Sequence, residues 1–105
     1  MTIAFVYITV DRADVGQSIA RLLLQERLVA CANLIPGATS FYWWQGQIQE
    51  SQEQILILKT LKAELDDVTR RIREVHPYEC PCIISLDGAS AHPDFMHWIE
   101  KQVKP

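Results

Sequence analysis

His76-Pro77-Tyr78-Glu79-Cys80-Pro81-Cys82 places an imidazole, a phenol, a carboxylate and two thiols within seven consecutive residues. These side chains suit soft and borderline metals: thiolates favour copper or zinc, and imidazole binds either. On an extended strand Cys80 and Cys82 point to one face with Cα atoms about 6.6 Å apart. That lies near the roughly 6.8 Å limit for a disulfide, so a shared metal is geometrically easier than a bridge, the more so because Pro81 stiffens the link. The same alternation is what two small core residues would show, since free cysteine is commonly buried. Two thiols and one histidine also fall short of the spaced four-ligand zinc pattern. Both readings stay open on these residues alone.

Other chemistries find little support. The chain has no nucleophile–base pair, glycine-rich phosphate loop or HExxH pattern, so an enzyme is not expected. A net charge of −3 argues against a nucleic-acid partner. The basic cluster Arg70-Arg71-x-Arg73 has the spacing of a solvated helix face. The opening run MTIAFVYITV is too short to span a bilayer and lacks the basic leader of a signal peptide. Three cysteines, an odd number, without such a leader point to reduced thiols in the cytoplasm.

These residues must be positioned by one domain covering 1–105, since the length allows no more. Ile3 to Val10 reads as a buried strand, β-branched and aromatic. Asp11 is placed to cap a helix whose sheet-facing residues are Val15, Ile19, Leu22 and Leu23, with Gly16 an apparent weakness. A second apolar run, LVACANLIP, ends at the turn signal Pro36-Gly37. Two extended runs follow, ATSFYWWQ and QIQESQEQILILKT, with Gly46 at the bend. The polar portion Gln49 to Gln54 is expected to project beyond the main sheet. Leu65, Val68, Ile72 and Val75 mark a second amphipathic helix ending near His76-Pro77. Pro81 to Leu86 reads as a strand, DGASAHP as a loop, and Phe95, Ile99 and Val103 as the face of a closing helix.

The order is β-α-β-β-α-β plus a C-terminal helix: an α+β, ferredoxin-like split βαβ with helices on one face of an antiparallel sheet. With 49% hydrophobic residues in 105, the other face is expected to meet further copies of the chain. The aromatic run Tyr42-Trp43-Trp44 suits such packing better than base stacking, because the RNA-binding signature of some ferredoxin-like domains is absent.

Four stretches together resemble one known family: Cys31-Ala32-Asn33-Leu34-Ile35-Pro36, Ser40-x-Tyr42-x-Trp44-x-Gly46-x-Ile48, Leu58-Lys59-Thr60, and His76-Pro77-Tyr78-Glu79-x-Pro81. The chain is similar, over nearly its whole length, to the CutA divalent-cation tolerance family, and Trp98 fits that pattern. The resemblance implies a cytoplasmic homotrimer with sheets joined edge to edge, and Tyr42, Trp43 and Trp44 between subunits. It implies a link to copper or another divalent cation and, through the C-x-N match, Cys31 as a proposed ligand; His76, Cys80 and Cys82 join the candidate metal ligands on their residue types alone. The resemblance also implies a cleft between subunits that gathers Lys59, His76, Tyr78 and Glu79 for a small ligand or metal. The CxC pair Cys80/Cys82 departs from the family pattern, so a site built on it would be peculiar to this chain. The alternative is a PII-like trimeric signalling or scaffold protein holding a small molecule in that cleft, which is analogy of fold alone.

Overall fold

In the computed structural model, which describes residues 2–103, a four-stranded sheet carries two helices on one face and a third on the other. The strands are β1 (Ile3–Val10), β2 (Cys31–Trp44), β3 (Gln47–Leu61) and β4 (Ile83–Ala89). They lie in the order β2-β3-β1-β4, and every neighbouring pair is antiparallel. The helices are α1 (Ala13–Gln25), α2 (Leu65–Val75) and α3 (Pro93–Gln102). This is the expected βαββαβ plan with an added helix.

Strand parity explains the two faces. Val6, Ile8 and Val10 of β1 alternate toward α1 and α2, where they pack with Leu56, Leu58, Ile19, Leu23, Val68 and Ile72. All of these are buried, and a fully buried aliphatic side chain is worth about 1.5–3 kcal/mol. The opposite parity begins with Ile3, which packs with Leu61, Ile99 and Val103 under α3. Helix α3 therefore covers one end of the second face, whereas a single helical face had been expected. Farther along that face Ile35, Ile84 and Leu86 stay 44%, 52% and 62% exposed.

Gly16, the apparent weakness in α1, lies close against the sheet. A Cβ there would lie 2.7 Å from Leu34 Cδ1 and 3.2 Å from Val10 Cγ2. Asp11 does not cap this helix: Arg12 holds the N-cap position without a side-chain cap bond, and its guanidinium pairs with Asp14 instead. Two arginines of the basic cluster on α2, Arg70 and Arg71, are engaged in ion pairs. Arg71 forks onto both carboxylate oxygens of Glu26 at 2.9–3.1 Å, tying α2 to the end of α1. Arg70 pairs with Asp67 and Glu74.

Pro36-Gly37 does not end its strand. The pairing runs through Ile35↔Ile55, shifts register, and resumes at Ala38↔Glu53, so the two residues form a bulge with Gly37 at φ 84°. The chain turns instead at Gln45-Gly46, both at positive φ (50° and 78°), which matches the right-handed twist of a two-residue hairpin. Beyond Val10↔Gln54 the third strand's support ends, and residues 38–53 continue as a two-stranded ribbon. The molecule is accordingly elongated, 44 × 24 × 23 Å. A second bulge lies at Gly88 (φ 81°), between the pairs Ala4↔Asp87 and Ile3↔Ala89. It carries β4 through Asp87 and Gly88, which the sequence had marked as loop.

Candidate functional site

Helix α2 ends where Pro77 forces the preceding residue out of helical geometry, and His76 takes the C-cap at φ −77°, ψ 132°. The imidazole swings back over the end of β1. Tyr78 N–H donates to Nδ1 at 3.1 Å, so the ring proton sits on Nε2, which donates to the Thr9 carbonyl at 2.8 Å. The ring is 8% exposed and meets Tyr78 edge-on at 4.6 Å between centroids. Both nitrogens are therefore spent on the fold, and neither is offered to a metal within this chain.

Tyr78 is aimed by that corner. Its hydroxyl donates to Glu53 Oε2 at 2.7 Å, and Glu53 is the one buried carboxylate among the described residues. Burial, and then the hydrogen bond and charge of Glu53, hold the Tyr78 phenol well above its ordinary value of 10.0. The ribbon overhang supplies the facing wall. Tyr42, Trp44, Tyr78, Glu79, Cys80 and Cys82 border, with Glu53, a cavity of about 680 Å³ at the Thr9 end of the open sheet face.

Cys80 and Cys82 differ from the strand picture. β4 begins at Ile83, so both lie in the irregular segment before it, where strand alternation does not govern their directions. Cys80 is exposed and Cys82 half-buried, and neither is in a disulfide. Burial and the nearby Glu53 carboxylate push the Cys82 thiol up, against a smaller opposing effect of its hydrogen bond with Thr9.

The expected four-residue ligand set Cys31, His76, Cys80 and Cys82 does not converge within one chain. Cys31 pairs with Lys59 across the ladder, and Lys59 pairs with Phe5. Thr9, which marks the Cys82 end, is four residues farther along β1, or about 13 Å. Among the described residues no group of three or more His, Cys, Asp or Glu is placed to hold a metal ion. Burial raises the Cys31 thiol while Lys59 pulls it the other way. Lys59 is likewise apart from His76, Tyr78 and Glu79, with its ammonium 5.8 Å from the Phe95 ring centre. The structure thus joins Tyr78 and Glu79 in one cavity and leaves Lys59 at the other end of the face. Glu53, read from sequence only as part of a polar stretch, is the residue that reading missed. Its signal was parity: it lies two residues before Ile55 and four before Ile57, on their side of β3.

No helix among the described residues is long and apolar enough to cross a membrane. The sequence profile of the family described as "CutA1 divalent ion tolerance protein" matches residues 4–102. A divalent-cation tolerance protein CutA of Thermus thermophilus is 38% identical over 96 residues, covering 91% of this chain and 93% of its own. The chloroplastic protein CutA 1 of rice is 33% identical over 99 residues, and there the chain spans only 56% of the relative's length. The solved structure of the periplasmic divalent cation tolerance protein CutA of Archaeoglobus fulgidus superposes with a TM-score of 0.93 at 32% identity, covering 97% of this chain and 99% of that one. That family is one of ion tolerance, not of a catalysed reaction. With the profile spanning nearly the whole domain and relatives above 30% identity matching the same βαββαβ core, the chain belongs to the CutA divalent-ion tolerance family.

Proposed function

We propose that the chain acts as a homotrimeric, cytoplasmic protein of divalent-cation tolerance that binds copper or another divalent cation through Cys80 and Cys82. The observation that carries this reading is the pair of unbridged thiols at the rim of one cavity, in a chain of a cation-tolerance family. Thiolates select copper over the harder divalent ions. Cys31 and His76 leave the ligand set, the first by distance and the second because its nitrogens are occupied. The trimer is supported by the apolar area left open: Phe41, Trp43 and Ile48 of the ribbon are each about two-thirds exposed or more, at 67%, 72% and 67%. Tyr42, Trp43 and Trp44 are the proposed contacts between subunits. Free thiols favour the cytoplasm, although relatives are named for the chloroplast and the periplasm.

Anaerobic titration with Cu(I), Cu(II) and zinc against a competing chelator tests the reading, with sedimentation fixing the oligomer. Saturable binding at fixed stoichiometry, lost in the Cys80→Ser/Cys82→Ser variant, is the expected result. Failure of the wild-type trimer to compete for any of the three ions would overturn it.

A second reading rests on the Glu53–Tyr78 cavity itself: a trimeric signalling or scaffold protein that holds a small molecule there and meets cations only indirectly. In that reading the thiols are dispensable.

A further inference from the structure

Residues 77–82 form a short loop whose two ends are fastened to neighbouring positions on β1. His76 holds the start through the Thr9 carbonyl, and Ile83 opens β4 opposite Ile8. Between those anchors the chain bends through Tyr78, Glu79 and Cys80 and makes no ladder pairs. Cys80 and Cys82 sit inside this loop with only Pro81 between them, and neither is bridged.

The loop frees the pair from strand geometry. On a regular strand, alternate positions are held about 6.6 Å apart, near the upper limit for a disulfide. The bend lifts that restraint, and Pro81 has no N–H whose bond would break as the chain closes. The two thiols are also unequal. Cys80 is exposed, whereas Cys82 is half-buried and hydrogen-bonded with Thr9. An oxidant therefore meets Cys80 first, and Cys82 is the thiol placed to resolve the product. Both sulfurs come from the one stretch Cys80-Pro81-Cys82, so the reaction needs no side chain of a neighbouring copy. Cys31, opposite Lys59 toward the other end of the sheet, takes no part.

We propose that Cys80 and Cys82 form a reversible dithiol–disulfide switch, driven by a small disulfide such as glutathione disulfide, which closes the copper site when oxidised. Its control of copper rests on the thiol–copper reading above, and the couple itself does not. The Cys80 thiolate attacks one glutathione sulfur, the S–S bond breaks, and one glutathione leaves as thiolate. The Cys82 thiolate then attacks Cys80 Sγ, forming the intrachain bond and expelling the second glutathione. Two electrons pass from the cysteine sulfurs to glutathione disulfide, and the two thiol protons end on the two glutathiones. A ring closed over one proline is strained, so reduced glutathione opens it again. While it is closed, copper is offered no thiolate.

For the test, the intact metal-free oligomer is equilibrated without oxygen, chelator present, in glutathione mixtures of rising oxidised fraction. Acid quenching, alkylation and peptide mass spectrometry then count the free thiols. The Cys80 and Cys82 thiols are expected to disappear together without bound glutathione, to return with excess reduced glutathione, and to leave Cys31 unchanged. Cys82→Ser should instead stop with glutathione on Cys80, which shows the order of the two attacks. Thiols that stay free at the most oxidising ratio overturn the switch, and a neighbouring copy covering Cys80 would give that result. A wild type that halts at the mixed disulfide, or bridges between chains, overturns it as well. Anaerobic Cu(I) titration of both forms separates this switch from the copper reading. Copper held by the reduced form should be lost on oxidation and regained on reduction. A reduced form that ignores copper while the couple still closes overturns the copper reading and leaves the couple. Copper binding without any disulfide formation overturns the switch and leaves the copper reading.

Discussion

The imidazole of His76 is fastened to the backbone of Thr9, 67 residues away in sequence, by a 2.8 Å hydrogen bond from Nε2–H to the carbonyl. With Nδ1 accepting from Tyr78 N–H, one ring sets both the end of β1 and the entry into the HPYECPC segment. A residue whose type suggests chemistry is here a structural clamp that aims its neighbour Tyr78 at Glu53.

His76→Phe keeps a ring but strands a buried carbonyl and a part-buried amide. The expected loss is about 2 kcal/mol of stability, in the usual range for unsatisfied buried groups. Urea unfolding at one protein concentration should show a lower midpoint with an unchanged slope. Copper binding through Cys80 and Cys82 should survive the substitution. Its loss would return His76 to the ligand set.

Tyr78 makes the fold sensitive to alkali. Its phenol stays protonated in the folded chain above the ordinary value of 10.0, where the unfolded chain would already ionise. The unfolded state then binds fewer protons than the native one, so stability falls as pH rises. The contribution is complete below the unfolded value and is lost as pH climbs toward the raised folded one. Comparing urea midpoints at about pH 9 and pH 11 should show a steeper decline in wild type than in Tyr78→Phe. Parallel declines would sever the link to this residue.

Thiol reactivity should follow burial. Cys80 is exposed, whereas burial pushes both Cys31 and Cys82 upward and so depletes their thiolates at neutral pH. Iodoacetamide labelling followed by peptide mass spectrometry is expected to modify Cys80 first and the other two more slowly. Preincubation with Cu(I) should protect Cys80 and Cys82 together and leave the rate at Cys31 unchanged.

Gly16→Ala improves helix propensity yet drives a methyl into Leu34 at 2.7 Å. Overpacking of this kind costs about 1–3 kcal/mol, more than the helical gain of roughly 0.5–1 kcal/mol. Net destabilisation is expected in thermal unfolding. A stabilised variant would mean that Leu34 swings aside freely.

Much of this architecture was legible because the hydrophobic periods are clean. Val68 and Ile72 at helical spacing, and Val6, Ile8 and Val10 at alternate positions, name their elements and their buried faces without help. The two glycine bulges were not legible. Pro36-Gly37 is an ordinary turn signal, and only the continued pairing of Ala38 with Glu53 shows the strand running through it. The same bulge hid the site's buried acid. Glu53 sits in the polar run Gln49 to Gln54, where parity gives its face but not its hydrogen-bond partner, the Tyr78 hydroxyl 25 positions away. Cys80 and Cys82 misled for the complementary reason. Their spacing suggests a strand, but the two prolines and the His76 clamp delay regular structure until Ile83.

The two bulges have one further consequence. β2 and β4 are the sheet's edges, and each carries an interruption: Pro36-Gly37 on one, Gly88 on the other. A strand from another copy laid along either edge meets a break in the ladder after a few residues, and at Pro36 a missing donor. Sliding by one position or growing into a long ribbon would each misplace that break. Each edge is thus a broken template, which offers an added strand only a short run of ladder before the bulge and so resists open-ended growth into a fibre.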